Sequence, residues 1–151
     1  MKKLLSVTVL LLVSTLLFAQ SDKEEMEYYQ SLFGMGKKAM VAEFVELNEN
    51  DAFWSLYEEY EDVRKKLGQE RITILKEYAG NYVNYSDDRM DILVKKSQDM
   101  NKKLAKLIDS YYKKIKKQSG SIKAAQFYQI ENFFLAAIRA EVLGDLPVIK
   151  K

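Results

Sequence analysis

Apolar residues along this chain recur at intervals of three and four positions, and seldom at intervals of two. Such spacing gathers apolar side chains on one face of an α-helix, whereas a half-buried strand would need strict alternation. Breaks are few, with one proline and six glycines in 151 residues. The pattern therefore predicts an all-α fold, an elongated bundle of one short and three long helices.

Four segments carry this periodicity. The short first helix is predicted at residues 37–47, and the second at residues 48–82 with Asn48 as its N-cap. The third is predicted behind a Ser86 cap and extends to about residue 118, along a coiled-coil-like seam that includes Leu107. The fourth occupies residues 121–144, where Gly144 ends it.

The fourth segment is apolar on nearly every side, with Phe127, Ile130, Phe133 and Phe134 among its residues. A helix of this kind is buried or lies in an interface. It is too short and too often interrupted by polar residues to span a membrane. We predict that it is the central helix of the bundle, and that part of it faces a second copy in a homodimer.

The first residues have the layout of a secretory signal peptide. Lys2 and Lys3 precede an apolar run at residues 4–18, and a small residue stands at the expected cleavage position. We predict a signal peptide at residues 1–19, a flexible acidic segment at 20–36 and a single helical domain at 37–151. The protein is therefore expected to be periplasmic or otherwise exported, and the alternative is that the apolar segment is retained as an anchor.

The charged residues are unevenly distributed. Removal of the signal peptide takes away two lysines and leaves 22 basic against 22 acidic side chains, which argues against a general nucleic-acid binder. Residues 49–62 carry six acidic and no basic side chains, whereas residues 95–117 carry nine lysines against two aspartates. The nine lysines are Lys95, Lys96, Lys102, Lys103, Lys106, Lys113, Lys114, Lys116 and Lys117.

Two interpretations of this segregation are open. In the first, the acidic and basic faces meet within the chain or across a dimer, or are simply solvated. In the second, the lysines form a surface for an acidic partner, such as an unfolded protein client, a surface polymer or anionic lipid at the membrane periphery.

The residue types also limit the chemistry. The chain has no histidine and no cysteine, which excludes Ser-His-Asp triads, Cys-His dyads, disulfides and zinc sites of the usual ligand set. No glycine-rich phosphate loop is present. We therefore predict no catalytic residue, no cofactor and no metal, and a protein that is not an enzyme.

Glu131 is the most informative single acid. It lies between Phe127 and Phe134 on the fourth helix, which predicts that it is at least partly buried. A buried carboxylate needs a partner, and we predict Arg64 or Arg71 of the second helix. A structural role and a role as a functional acid are both open at this stage.

Two motifs resemble those of a family of uncharacterised exported bacterial proteins that are all-helical. The first is the Phe-Trp-x-x-Tyr-x-x-Tyr pattern of Phe53, Trp54, Tyr57 and Tyr60, and the second is the Phe-x-Gln-Ile-Glu pattern at residues 127–131, which includes Phe127, Ile130 and Glu131. The Leu-Pro and aliphatic residues at 146–149 complete the pattern, whereas Ser55 departs from it. In this interpretation these motif residues are structural.

A more distant resemblance is to the periplasmic Spy/CpxP chaperones with their Leu-Thr-x-x-Gln motifs. Residues 47–51 and 85–89 are similar to that motif, with Asn48 and Ser86 in place of threonine. The resemblance implies a Spy/CpxP-like helical hairpin as one arrangement of the bundle, and an ATP-independent holdase that captures unfolded clients. The alternative is a structural or regulatory envelope protein that binds one specific partner.

Overall fold

The computed structural model describes residues 35–81 and 86–144. These residues form four helices and no strand: α1 (Met35–Val45), α2 (Phe53–Asn81), α3 (Asp87–Ser119) and α4 (Ser121–Gly144). The predicted all-α bundle of one short and three long helices is confirmed. The chain divides into two compact units, residues 1–39 and 40–151, and all contacts given below lie within the second. The predicted signal peptide and nearly all of the acidic segment at 20–36 lie outside the described residues.

Helix α2 begins later than predicted, because Asp51 caps it and Asn48 does not. The Asp51 carboxylate accepts the Phe53 N–H at 2.9 Å, and the Asp51 carbonyl accepts the Trp54 N–H at 3.1 Å. Asn48 instead accepts the Asn50 N–H through its side chain at 3.0 Å, which stabilises a turn. Its carbonyl also accepts the Trp54 indole N–H at 2.8 Å. Asn48 therefore anchors the connection that precedes the helix.

Helices α3 and α4 form an antiparallel hairpin with Gly120 as the single residue between them. Gly120 has φ +91°, a conformation that L side chains rarely adopt. The Tyr112 and Tyr128 rings lie with their centroids 6.1 Å apart, and each residue is eight positions from Gly120. Arg139 Nη2 donates to Asn101 Oδ1 at 3.2 Å, and each of these residues is nineteen positions from Gly120. The two helices therefore keep one register along the hairpin.

Helices α2 and α3 are also antiparallel, and ion pairs mark their register. The pairs are Lys96–Glu77 at 2.6 Å, Lys103–Glu70 at 2.8 Å and Lys114–Glu59 at 3.6 Å. Steps of seven and eleven residues along α3 are matched by equal steps backwards along α2. Both spacings return a side chain to nearly the same side of an α-helix. The pairs therefore form one row along one side of the helix contact.

Helix α3, and not α4, is the central helix. It packs closely against both α2 and α4. Helices α2 and α4 meet mainly through large side chains, such as Phe53 and Phe127, whose ring centroids are 6.3 Å apart. The prediction that α4 is central is therefore wrong. Its apolar residues surround the helix, but those on one side remain exposed.

The hydrophobic core is densest where the two halves of the hairpin meet the start of α2. The buried apolar residues of the three long helices are Phe53, Trp54, Tyr57, Tyr60, Leu93, Met100, Leu104, Ile108, Tyr111, Ile115, Ala124, Phe127, Ile130, Phe134 and Leu135. Beyond Tyr60, the apolar residues of α2 are only half-buried at Leu67 and Ile74, and Val63 is exposed. The α3 seam passes through Ile108 instead of the predicted Leu107, which is half-buried.

Candidate functional site

The two sequence motifs meet in one aromatic cluster in the core. Helix α2 contributes Phe53, Trp54, Tyr57 and Tyr60, and α4 contributes Phe127. The Phe53 and Tyr57 rings are stacked with centroids 5.6 Å apart, and the Tyr60 ring meets Phe127 edge-on at 5.0 Å. Stacked and edge-on arrangements both suit the charge distribution of aromatic rings. The motif residues therefore hold α2 against α4.

Glu131 lies beside this cluster and is fully buried. The Tyr60 hydroxyl donates to Glu131 Oε2 at 2.7 Å, and the Tyr57 hydroxyl donates to Oε1 at 3.1 Å. The two tyrosines are three positions apart on α2, so their hydroxyls reach the same carboxylate from adjacent turns. The predicted burial of Glu131 is confirmed, whereas its tyrosine partners were not predicted from the sequence.

The predicted arginine partners of Glu131 are wrong. Arg64 forms a two-pronged ion pair with Glu61 on its own helix, at 2.7 and 2.9 Å. Arg71 is half-buried, and its pKa is lowered by burial and by the positive charge of Arg139. Arg64 lies one turn beyond Tyr60 on α2. In the observed register Glu131 therefore bonds to tyrosine hydroxyls and not to the predicted guanidinium groups.

Burial and the Glu131 carboxylate both act on the tyrosine hydroxyls. Burial raises the pKa of both hydroxyls, and the negative charge of Glu131 raises it further. The pKa of Tyr57 and that of Tyr60 therefore lie well above the ordinary value of 10.0. Both hydroxyls therefore keep their protons at neutral pH and remain donors. Glu131 has no exposed surface, so these hydrogen bonds lie within the core.

The predicted lysine surface divides into parts that face different ways. Lys96, Lys103 and Lys114 form the row of ion pairs with α2 described above. The Lys116 ammonium lies 6.0 Å from the centre of the Tyr112 ring, over its face. Of these pairs, Lys114–Glu59 joins the predicted basic segment 95–117 to the predicted acidic segment 49–62, whereas Glu70 and Glu77 lie outside that acidic segment.

The other five lysines form an outward lysine row on α3: Lys95, Lys102, Lys106, Lys113 and Lys117. All five are exposed, and their spacing of seven and four places them opposite the buried stripe of the helix. Lys102 contacts Asp99 of the same helix at 3.4 Å. Within the described part of the chain the remaining four form no ion pair. These five lysines are the part of the predicted partner surface that remains available.

Helix α4 exposes a continuous uncharged surface. We call this surface the outer face of α4. It consists of six exposed residues: Ile122, Ala125, Gln129, Phe133, Ala136 and Ala140. Ile122 is 78% exposed and Phe133 is 60% exposed. From Ser121 to Ala140, no exposed residue of α4 carries a charge. Exposed apolar surface without charge is typical of a face that binds another molecule.

Two features are absent from the described residues. No group of three or more acidic side chains there lies close enough together to hold a metal ion. None of the four helices combines the length and the apolar character needed to cross a membrane.

Comparison with known proteins gave no match, whether with protein-family models, with curated proteins or with solved structures. The resemblance to exported helical proteins and to the Spy/CpxP group therefore stays a prediction.

Proposed function

We propose that this protein is an exported, ATP-independent holdase that binds apolar segments of other polypeptides. The observation that carries the proposal is the outer face of α4, where Ile122 and Phe133 are exposed on a helix surface without charges. Polypeptides that have not yet folded expose apolar residues, which can bury their surface against such a face. The resemblance to the Spy/CpxP chaperones supports the same function.

The outward lysine row suggests which clients bind best. Its five ammonium groups lie on α3, the helix that packs against α4. Lysine is a flexible and strongly hydrated charge that suits loose attraction better than fixed two-point recognition. Positive charge of this kind accelerates the encounter with acidic chains. The preferred client is therefore an unfolded segment that combines apolar with acidic residues.

The decisive test removes the apolar side chains from the outer face of α4. The double variant Ile122→Ser/Phe133→Ser and the wild-type protein would be compared for suppression of aggregation of a heat-stressed client at stoichiometric amounts. We expect the double variant to lose most of the protection. The matched control is Ile92→Ser, which removes a similarly exposed isoleucine from α3 (54% exposed) and should leave protection unchanged. Equal protection by all three proteins, or none by the wild type, would refute the proposal.

A second comparison tests the contribution of charge. Lys106→Gln/Lys113→Gln removes two charges of the outward lysine row, whereas Lys106→Arg/Lys113→Arg keeps them. We expect the glutamine variant to bind acidic clients more slowly and with a weaker dependence on salt, because fewer charges attract the client. If the arginine variant lost as much as the glutamine variant, the effect could not come from charge.

Two other occupants of the outer face of α4 would give different results. A structural or regulatory role predicts one dominant partner in a pull-down from envelope extracts, whereas a holdase predicts many. The homodimer predicted from the sequence would use the same face, and light scattering would then show a dimer that Phe133→Asp converts to monomer. A face closed by a stable dimer would contradict client capture at that face.

A further inference from the structure

The outward lysine row forms a line along the outside of α3. Its members are separated alternately by seven and four residues, so that every second lysine follows at eleven. Steps of seven and eleven return a side chain to nearly the same side of an α-helix. From Lys95 to Lys117 the row extends about 33 Å along the helix axis. The opposite side of α3 is the buried stripe that includes Leu104 and Ile108. The row therefore lies on a ridge and not in a groove.

Most of the charge of this row is not neutralised by the described residues. Lys102 pairs with Asp99, but the two side chains remain 69% and 53% exposed. Asp109 lies to one side of the row, in the groove between α3 and α4. Asp88 precedes Lys95 by seven positions and therefore lies at the end of the row. The other four lysines, which form no ion pair in the described part of the chain, can meet an anionic partner.

An exposed apolar side chain lies beside the row. Ile92 is 54% exposed. It precedes Lys95 by three positions, which makes the two residues neighbours on the helix surface. Helices that lie at a bilayer surface combine apolar side chains, which enter the headgroup boundary, with lysines whose ammonium groups remain at the headgroups. This part of α3 has both kinds of side chain.

We propose that the outward lysine row docks this protein on an anionic phospholipid bilayer, with α3 parallel to the bilayer and Ile92 at the headgroup boundary. The negative surface potential of such a bilayer attracts each nearby lysine. A flat surface can meet all five lysines at once, because they share one side of α3. The inference does not rest on the proposed holdase activity, which is carried by the outer face of α4.

A bilayer fits this surface better than a soluble polyanion does. Proteins that bind single-stranded nucleic acids, for example, use a positively charged groove and aromatic rings, and the outward lysine row has neither. The row also contains no arginine, the residue that binds phosphate through two parallel hydrogen bonds. A polyanion in water would leave Ile92 without an apolar partner, whereas a bilayer provides one.

The test measures co-flotation of the protein with vesicles of phosphatidylglycerol and phosphatidylcholine in equal parts, and with vesicles of phosphatidylcholine alone. We expect binding to the anionic vesicles to be at least about tenfold stronger. This binding should fall steeply as the salt concentration rises from about 0.05 to about 0.5 M. No binding to anionic vesicles, equal binding to both kinds, or binding that salt does not reduce would overturn the proposal. No client is present, so the outcome is separate from that of the holdase test.

Variants that share the same N-terminal residues locate the contact on α3. Each lysine near an anionic surface strengthens binding about fivefold, so Lys106→Gln/Lys113→Gln should weaken binding to anionic vesicles at least about tenfold. The matched control is Lys65→Gln/Lys66→Gln, which removes two exposed lysines from α2 and should weaken binding less than about threefold. An equal loss in both variants would overturn the proposal, because net charge alone would then explain the binding.

The variant Ile92→Ser separates a bilayer from a soluble polyanion. It should weaken binding to anionic vesicles at least about threefold through the lost apolar contact, and leave binding to polyphosphate unchanged. If Ile92→Ser bound the vesicles as tightly as the wild type, the contact would be purely ionic and the proposed docking would be wrong. Tighter binding of polyphosphate than of vesicles through the same lysines would also overturn the proposal, in favour of a soluble polyanion.

Discussion

Replacement of Tyr60 by phenylalanine is the most direct test of how the core is held together. The substitution keeps the ring that packs edge-on against Phe127 and removes only the hydroxyl that donates to Glu131 at 2.7 Å. The carboxylate is fully buried, so water cannot readily replace the lost donor. A hydrogen bond to a charged group contributes about 1.5–3 kcal/mol. We therefore expect Tyr60→Phe to lower the free energy of unfolding by about 2 kcal/mol.

The neighbouring tyrosine provides a graded comparison. The Tyr57 hydroxyl donates to the other carboxylate oxygen over a longer distance, 3.1 Å. Tyr57→Phe is therefore expected to cost less, about 1 kcal/mol. Tyr128→Phe is the matched control, because it removes the hydroxyl of a half-exposed tyrosine on α4 and should change stability by less than about 0.5 kcal/mol.

Urea denaturation followed by circular dichroism would measure these differences, and thermal melting should show a fall of roughly 5–10 °C for Tyr60→Phe. A double-mutant cycle with Glu131→Gln isolates the charged hydrogen bond. The cost of Tyr60→Phe should fall by about half when residue 131 is neutral, because hydrogen bonds between neutral groups are weaker. An equal cost in both backgrounds, or a loss no larger than that of Tyr128→Phe, would refute this account of Glu131.

Three further predictions concern the helix ends and the helix interior. Gly120→Ala should lower the free energy of unfolding by about 1–3 kcal/mol, because no atom crowds the position and only its positive φ is strained. Gly68→Ala, inside α2 with open space around it, should raise the free energy of unfolding by about 1 kcal/mol. Urea denaturation measures both, and equal effects would contradict the conformational argument. Asp51→Ala should cost about 1 kcal/mol at neutral pH through loss of the cap. The hydrogen bond from Lys123, followed by that from the Phe53 N–H, lowers the pKa of Asp51 below 3.8. The stabilisation by the Asp51 carboxylate is therefore present above pH 3.8 and is lost as the pH falls through the folded-state pKa. The difference between the wild type and Asp51→Ala, measured by denaturation at several pH values, should therefore shrink in acid, and a constant difference would contradict this assignment.

The sequence pattern was sufficient to predict the class of fold and the bounds of α3 and α4. Helical periodicity and the break at Gly120 predicted α3 and α4 to within a few residues, because both depend on local chemistry. The start of α2 was predicted too early because Asn48 and Asp51 are both good caps. Only the contacts made by Asp51, including its bond from Lys123 of α4, decide between them.

The partner of Glu131 could not be predicted from residue types alone. Its burial followed from its apolar neighbours on α4, but its partners depend on how α2 is shifted along the bundle. In the observed register Tyr57 and Tyr60 lie level with the carboxylate, while Arg64 turns to Glu61. The same shift determines which lysines of α3 face the acids of α2, so the outward lysine row could be identified only from the assembled helices.

The contacts that hold the bundle together differ greatly in sequence separation. Those of the α3–α4 hairpin close across Gly120, whereas the bonds from Tyr57 and Tyr60 to Glu131 join residues 74 and 71 positions apart. Contacts between distant residues require more chain entropy to be lost before they form. We therefore expect the hairpin to fold first, and α2 to dock last, when its tyrosines enclose the carboxylate. Until α2 docks, the Glu131 carboxylate lacks its two tyrosine donors, on the part of the hairpin that later becomes the core.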